Sequence, residues 1–279
     1  SCHKDGPSVV ADGEYKGLTL NEYIEKAGKG VLGKNCERFE NFPILIKLID
    51  AKDNLSVQVH PDNDYAMRVE GEYGKTEMWY VVDCDEGATL LYGFKHEITK
   101  EEFARRIADN TLLEVTNAVP VKKGDVFFIK SGTLHAIGKG ILIAEIQQNS
   151  NTTYRIYDYG RVGKDGKPRE LHVDKALDVT KLAPAEQYPE TPVEKKDGYD
   201  IKLLSKCEYF TTYRVNVETK AELDADENSF NSILVLEGEP VISGGETVSA
   251  KKGESVFISA GTGKYTVDGK CTFVLTKID

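Results

Sequence analysis

Residues 122–135 read KKGDVFFIKSGTLH, and residues 251–264 read KKGESVFISAGTGK. The two segments align without gaps, and seven of the fourteen positions are identical. Each segment has a glycine turn followed by an apolar run with β-branched and aromatic residues, which is typical of a strand. A strand-turn-strand unit that occurs twice predicts two similar β-barrel or jelly-roll lobes.

The rest of the chain is also mostly β in character. Short runs rich in β-branched and aromatic residues predict strands at 43–50, 78–83, 88–94, 126–130 and 141–147. Capping boxes, in which a hydroxyl and a carboxylate bind free amide groups at a helix start, begin at Thr19 and Thr99. They predict helices near 19–27 and 99–108, and a third helix is predicted near 170–178.

Residues 183–198 read APAEQYPETPVEKKDG and contain three prolines and several charged residues. Such a composition is typical of a linker. We therefore predict a first domain over 1–182, a linker over 183–198 and a second domain over 199–279.

Composition limits the classes of partner and the compartment. The 279 residues carry a formal net charge of −10 at pH 7, which argues against nucleic acid or an anionic membrane surface as the main partner. No apolar run approaches the ~20 residues that a membrane span needs. The five cysteines are scattered and include no CxxC pair, so we expect reduced thiols and a cytoplasmic protein. The oligomeric state does not follow from the sequence.

Two histidines and two oxygen donors lie in or beside predicted strands. Gln58 and His60 are two residues apart, so on a strand their side chains point to one face. Glu77 opens a second strand, and His135 follows the glycine-rich approach to a third. Convergence of these four side chains inside a barrel would form a divalent-metal site.

The repeat assigns this candidate site to the first lobe. In the alignment His135 corresponds to Lys264, and Glu77 corresponds to about Asn231. No histidine follows residue 172. We therefore expect the second lobe to be a metal-free, structural copy.

The sequence around these donors is similar to a known family. Residues 124–135 resemble the second motif of the cupin superfamily, and Gln58, His60 and Glu77 resemble its first, although the 17 positions from His60 to Glu77 exceed the usual cupin spacing. The sequence segments LSVQVHPD, GKTEMWYV, GTLHAIG and AEIQQNSNTTYRIYDYGR closely resemble those of type I mannose-6-phosphate isomerase in its short bacterial form. The resemblance covers most of residues 1–180.

This resemblance implies a mainly β fold with two cupin (jelly-roll) lobes and a few short helices. It places the family's zinc ligands on Gln58, His60, Glu77 and His135, with one Zn²⁺ per chain. It also implies the interconversion of mannose 6-phosphate and fructose 6-phosphate, an aldose–ketose isomerisation that moves a proton between C2 and C1 through an enediol(ate).

Three further positions match the family's active-site pocket. Arg155 matches the catalytic arginine, and its permanent charge suits an oxyanion or a phosphate. Lys75 lies two residues before Glu77, so both side chains face the barrel interior if the strand is extended. Glu145 lies in an apolar strand and could act as an acid or base, or hold a ligand or Arg155 in place.

A basic cluster follows Arg155 in the sequence. Arg161 is a candidate to bind the sugar phosphate, because a dianion favours more than one cation. For Lys164 and Lys167 we expect a solvated loop. His3, His96 and His172 match no motif, so structural or surface roles are expected for them.

Two alternatives come from other classes of protein. A bicupin that binds a metal or sugar without catalysis would explain the fold and the repeat, but not the grouping of Lys75, Glu145 and Arg155. A cupin oxygenase is less compatible with Gln58, because oxygenases favour an iron facial triad.

The opening SCHKDGPSVV resembles the middle of the family's first strand region, so we expect the family's usual preceding segment to be absent from this sequence.

Overall fold

The structure is a computed structural model that describes residues 1–163 and 166–279. Lys164 therefore lies outside the described residues. The described chain divides into a central unit, Ile46–Tyr188, and a terminal unit that joins Ser1–Leu45 to Pro189–Asp279. None of the helices in these ranges is long and apolar enough to cross a membrane, and all five cysteines are free thiols.

This division differs from the predicted domain limits, since the first 45 residues pack with the C-terminal strands. Within the terminal unit, the Lys34 amide donates to the Glu227 carbonyl over 3.1 Å, and the rings of Phe42 and Phe230 lie 5.3 Å apart. Strand Val193–Lys196 also lies inside the predicted linker. Contacts between residues almost 200 positions apart leave no local pattern, which is why composition placed the boundary elsewhere.

Four α-helices occur in the described chain: α1 (Leu20–Ala27), α2 (Asn63–Val69), α3 (Lys100–Ala108) and α4 (Val173–Val179). The capping box of α1 is complete, because the Thr19 hydroxyl accepts from the Glu22 amide and the Glu22 carboxylate accepts from the Thr19 amide. At α3 only the Thr99 half is formed, and the Glu102 carboxylate accepts instead from Arg106 Nε over 2.8 Å. The three predicted helices are present, and α2 is additional.

Nine strands belong to the sheets of the central unit: β1 (Ile44–Ala51), β2 (Val57–Val59), β3 (Glu77–Cys84), β4 (Thr89–Phe94), β5 (Thr116–Pro120), β6 (Val126–Ile129), β7 (His135–Ala136), β8 (Ile141–Gln148) and β9 (Tyr154–Tyr157). They form a four-stranded sheet in the order β1-β8-β3-β6 and a five-stranded sheet in the order β5-β4-β7-β2-β9. Neither sheet closes on itself within the described ranges. The lobe is therefore a pair of sheets and not a closed barrel.

The two faces of the five-stranded sheet have different partners. Val57 and Val59 are fully buried and share an apolar cluster with Phe103 of α3 and Ala176 of α4. On the other face, residues such as Trp79 of the four-stranded sheet form a second buried cluster with β4 side chains. Because neighbours on a strand alternate, the side chains next to Val57 and Val59 point between the two sheets.

The terminal unit contains the remaining strands: β10 (Val193–Lys196), β11 (Tyr199–Lys206), β12 (Thr211–Val217), β13 (Lys220–Ala225), β14 (Asn231–Gly238), β15 (Val241–Gly244), β16 (Glu246–Ser249), β17 (Ser255–Ile258), β18 (Gly263–Asp268) and β19 (Cys271–Lys277). Two sheets result, in the orders β10-β11-β12-β19-β14-β17 and β13-β18-β15-β16. The buried cluster of this unit is made of apolar side chains and Tyr265.

The internal repeat is a structural repeat. Glu77 pairs with Ile129 in the first copy, and Asn231 pairs with Ile258 in the second, which is the correspondence predicted from the alignment. Asn231 donates to the hydroxyl of Tyr265 over 3.0 Å. In the second copy an amide and a phenol thus occupy the region where the first copy has Glu77 and its histidines.

Candidate metal centre and active site

Gln58 and His135 lie side by side between the two sheets of the central unit. They are direct partners across β2 and β7, so their side chains share one face. Gln58 stands between Val57 and Val59, which are buried on the outer face. Alternation therefore directs Gln58 inward, towards His135.

His60, Glu77 and His135 converge at this point. Glu77 Oε2 lies 3.6 Å from His60 Nε2, and Glu77 Oε1 lies 3.5 Å from His135 Nε2. The three side chains are at most 1 % exposed, and one donor atom from each lies within 4.8 Å of the others. Donors bound tetrahedrally to zinc at about 2.0–2.1 Å are about 3.4 Å apart, so the spacing suits such an ion.

Backbone carbonyls fix the tautomer of both imidazoles. His60 Nδ1 lies 3.0 Å from the Thr152 oxygen, and His135 Nδ1 lies 2.8 Å from the Thr133 oxygen. A carbonyl can only accept, so both Nδ1 atoms carry the hydrogen. The Nε2 lone pairs are left to face Glu77, as in histidines that bind metals.

Several donor atoms of this cluster lack a hydrogen-bond partner. Among the described residues, neither carboxylate oxygen of Glu77 nor Nε2 of His135 has one. Lys75 Nζ and Glu77 Oε2 form an ion pair at 2.7 Å, but the angles between the two groups do not allow a hydrogen bond. Buried polar atoms without partners are costly. A divalent cation among them would satisfy all of these atoms, so the residues present fit a metal.

Burial and neighbouring charges set the protonation of the cluster. Burial, followed by the charge of Lys75, lowers the pKa of His60 to about 3, and burial also lowers the pKa of His135. Burial alone would raise the pKa of Glu77, but Lys75 and His60 bring it well below its usual value. At neutral pH the imidazoles are therefore neutral and the carboxylate is ionised, which is the state that binds metals.

Lys75 and Glu145 border the cluster, as the resemblance implied. Lys75 Nζ lies 3.2 Å from His60 Nε2 and 3.6 Å from Glu145 Oε1. Burial opposes the charge of Lys75, but Glu145 and Glu77 outweigh it and raise the pKa. Trp79 Nε1 donates to Glu145 Oε2 over 2.9 Å. Glu145 thus accepts from neighbours on two sides.

Lys47 was not identified from the sequence. Its Nζ donates to Gln147 Oε1 over 2.7 Å and lies 3.4 Å from Glu145 Oε1. Gln147 is held for this contact, because its Nε2 donates to the carbonyls of Gln148 and Ser150. Burial lowers the pKa of Lys47, opposed by Glu145. A lysine inside the apolar run PILIKLID was the signal that could have identified it.

A β-bulge places Arg155 directly opposite Gln58. Val57 pairs with Tyr157, but Gln58 pairs with Arg155, so Ile156 is an extra residue in β9. If Ile156 paired regularly with Gln58, Arg155 would lie opposite Val59, on the other face of the sheet. Nε of Arg155 is buried and has no hydrogen-bond partner in the part of the chain that the structure describes.

Arg161 is held by an acidic residue near Arg155. Its guanidinium donates to Asp158 and to the Asn54 carbonyl. Arg169 Nε also donates to Asp158, over 2.7 Å. Two arginines therefore share one carboxylate, and the group keeps a net positive charge.

Within residues 1–163 and 166–279, one β-sandwich lobe has a buried His-Glu-His donor set and the other has none. This arrangement defines a cupin-type protein with one candidate metal centre among those residues. The family profile "Phosphomannose isomerase type I, catalytic domain" matches residues 1–87, and "Mannose-6-phosphate isomerase, cupin domain" matches residues 200–278. The chain is 39% identical over 280 residues to mannose-6-phosphate isomerase ManA of Bacillus subtilis, covering 100% of this chain and 87% of that protein. The chain belongs to the type I mannose-6-phosphate isomerase family.

Solved structures agree with this family. The crystal structure of mannose 6-phosphate isomerase from Bacillus subtilis is 38% identical, with a TM-score of 0.92 over 99% of this chain and 87% of that one. A zinc-bound mannose 6-phosphate isomerase with 16% identity shares the fold, with a TM-score of 0.79 over 100% of this chain and 89% of that one. The predicted family and mainly β cupin fold are thereby confirmed.

Proposed function

We propose that this protein interconverts mannose 6-phosphate and fructose 6-phosphate, with catalysis in the central unit. The observation that supports this most directly is the buried cluster of His60, Glu77 and His135, bordered by Lys75 and Glu145. The family contains enzymes that carry this name. The terminal unit has Lys264 and Asn231 in the matching positions, which supports a structural role for it.

One zinc ion per chain is proposed on Gln58, His60, Glu77 and His135. Two neutral imidazoles with carboxylate and amide oxygens suit Zn²⁺. When bound, the ion would supply a positive charge that polarises the sugar's carbonyl or hydroxyl oxygens. The carboxylate of Glu77 would offset half of that charge.

The residues around the metal centre divide the remaining tasks. Arg155 carries a permanent charge and a buried, unshared Nε donor, which suits the oxygen that becomes negative in the enediolate. Lys75 and Glu145 lie 3.6 Å apart beside the cluster. Such an ammonium and carboxylate can give and take the proton that moves between C2 and C1. Lys47 contacts the same carboxylate from β1.

The sugar phosphate is proposed to bind near Arg161. With Arg155 and Arg169 this residue forms a cationic group around Asp158. A phosphate dianion would accept charge-assisted hydrogen bonds from such guanidinium groups. We also propose a cytoplasmic enzyme without nucleic-acid or membrane partners, supported by the net charge of −10 and the free cysteines.

A non-catalytic bicupin is not favoured, because it would need no ion-paired Lys75 and Glu145 beside the metal centre. The test is turnover of mannose 6-phosphate to fructose 6-phosphate before chelation, after chelation and after zinc is added back. Activity should be lost on chelation and restored by zinc. A folded, zinc-loaded protein without turnover would refute the proposal.

A matched pair of variants tests the ligand assignment. His135→Ala should abolish zinc binding and turnover, because it removes one of three clustered donors. His96→Ala changes an exposed histidine of the same unit and should change neither. Full zinc content in His135→Ala would contradict the proposed site.

A further inference from the structure

The outer edge of the five-stranded sheet is closed at Arg155 by a single residue, His172. Strand β9 is the last in the order β5-β4-β7-β2-β9. The His172 amide donates to the Arg155 carbonyl over 2.8 Å, and the Arg155 amide donates to His172 Nδ1 over 3.2 Å. His172 thus uses its backbone and its ring to replace the missing neighbouring strand at this position.

The same short segment also holds the side chain of Arg155. Nη1 of Arg155 donates to the Glu170 carbonyl over 3.1 Å. Residues 170–172 therefore hold the amide and the carbonyl of Arg155 and also one end of its guanidinium. The bulge at Ile156 interrupts pairing with β2, so this outer anchor lies where the pairing on the inner side of β9 is irregular.

We propose that His172 is a positioning residue for the isomerase reaction, acting through Arg155. This inference rests on the proposed function, in which the guanidinium of Arg155 faces the sugar. His172 acts through its two hydrogen bonds with Arg155. Its contribution is to hold the strand segment that determines where the guanidinium lies.

The proposed contact depends on the charge of the imidazole. Nδ1 accepts a hydrogen bond, so it carries no proton in this arrangement. A protonated ring would present N–H to the N–H of Arg155, and the contact would be lost. A substitution that removes the Nδ1 acceptor therefore removes this hydrogen bond to the Arg155 amide.

The Tyr154 ring and the Glu70 carboxylate lie near His172. The Glu70 carboxylate accepts from Lys175 over 2.7 Å and from the Tyr154 hydroxyl over 2.8 Å, and the Tyr154 ring centroid lies 6.1 Å from that of His172. The Glu70 and Lys175 charges therefore offset each other.

Three variants test the proposal. His172→Leu removes the acceptor and should lower kcat by about 10- to 100-fold, the usual result of displacing a reacting group by about 1 Å. His172→Asn keeps a side-chain acceptor, so it should recover most of the activity. His96→Asn is the control for an exposed histidine of the same unit and should keep the wild-type activity.

A double-mutant cycle shows whether the effect passes through Arg155. In an Arg155→Ala background, His172→Leu should cause little further loss, because residues that act as one unit are not additive. Additive losses, or full activity of His172→Leu, would overturn the positioning role.

Hydrogen exchange gives a readout that needs no turnover. The Arg155 amide should exchange faster in His172→Leu than in the wild type, and His172→Asn should restore protection. Unchanged exchange would also overturn the inference. A wild-type protein that is folded and zinc-loaded but inactive would instead refute the proposed function, so the two failures are distinguishable.

Discussion

Replacing Glu77 by glutamine perturbs the charge balance of the metal centre with little change in volume. Glu77 has no solvent exposure, and its Oε2 lies 2.7 Å from the Nζ of Lys75, which is itself only 4 % exposed. Removing one partner of a buried ion pair costs about 3–5 kcal/mol, since the other charge stays buried. Glu145 still lies 3.6 Å from Lys75, so we expect a loss of about 3 kcal/mol, at the lower end of that range.

Thermal and urea unfolding of the zinc-free protein measure this loss. A decrease of about 3 kcal/mol corresponds to a fall of roughly 6–12 °C in Tm for a protein of this size class. Zinc at 100 times its Kd should stabilise the wild type by about 2.7 kcal/mol. Glu77→Gln should show a much smaller zinc-dependent rise in Tm, because an anionic donor of the cluster is missing.

The control is Glu86→Gln, which changes an exposed carboxylate of the same unit. Its free energy of unfolding should stay within about 0.5 kcal/mol of the wild type, with an unchanged response to zinc. If Glu77→Gln matched this control in both measurements, the buried ion pair and the assignment of Glu77 as a ligand would both be wrong.

Three further changes have expected outcomes. Gly132→Ala should cost about 2–3 kcal/mol and weaken zinc binding measured by titration, because at φ +86° its Cβ would lie 2.9 Å from a carbonyl oxygen. The control Gly261→Ala, at φ +80° with no atom within 4 Å of the added Cβ, should cost less. Equal losses in stability would contradict the steric explanation. The pKa of His60 is lowered to about 3, so the contribution of its neutral imidazole to stability is complete above about pH 6.5 and is lost as pH falls towards 3. Urea unfolding of the zinc-free protein should therefore show a midpoint that falls over this range. A constant midpoint would contradict this prediction. Trp79→Phe removes the 2.9 Å hydrogen bond to Glu145. Urea unfolding should show a loss of about 1.5–3 kcal/mol, the range for a hydrogen bond to a charged group. Wild-type stability of this variant would show that the hydrogen bond contributes nothing.

Local patterns predicted much of the fold. The five predicted strands agree with β1, β3, β4, β6 and β8 to within one residue at each end, because runs of β-branched and aromatic residues bounded by turn residues reflect local preferences. The capping box before α1 is likewise a local interaction between Thr19 and Glu22. The repeat correctly predicted that Asn231 takes the place of Glu77.

The bulge in β9 was not predictable in this way. One extra residue, Ile156, decides whether Arg155 lies opposite Gln58 or Val59. Both registers are compatible with the sequence of the strand. Pairing with β2 selects one of them, and that choice determines which face of the sheet Arg155 occupies.

The sequence by itself determined the chemistry of the candidate site: two histidines, a carboxylate and an amide at spacings that resemble one family, in only one of two repeated lobes. The tertiary structure decided how these groups are held. The Thr152 carbonyl fixes the tautomer of His60 from 92 positions away, and Lys47 reaches Glu145 across 98 positions. His172, which matched no motif, binds both peptide groups of Arg155. Such contacts depend on which strands become neighbours, and pairing of distant strands leaves no mark on the periodicity of either segment.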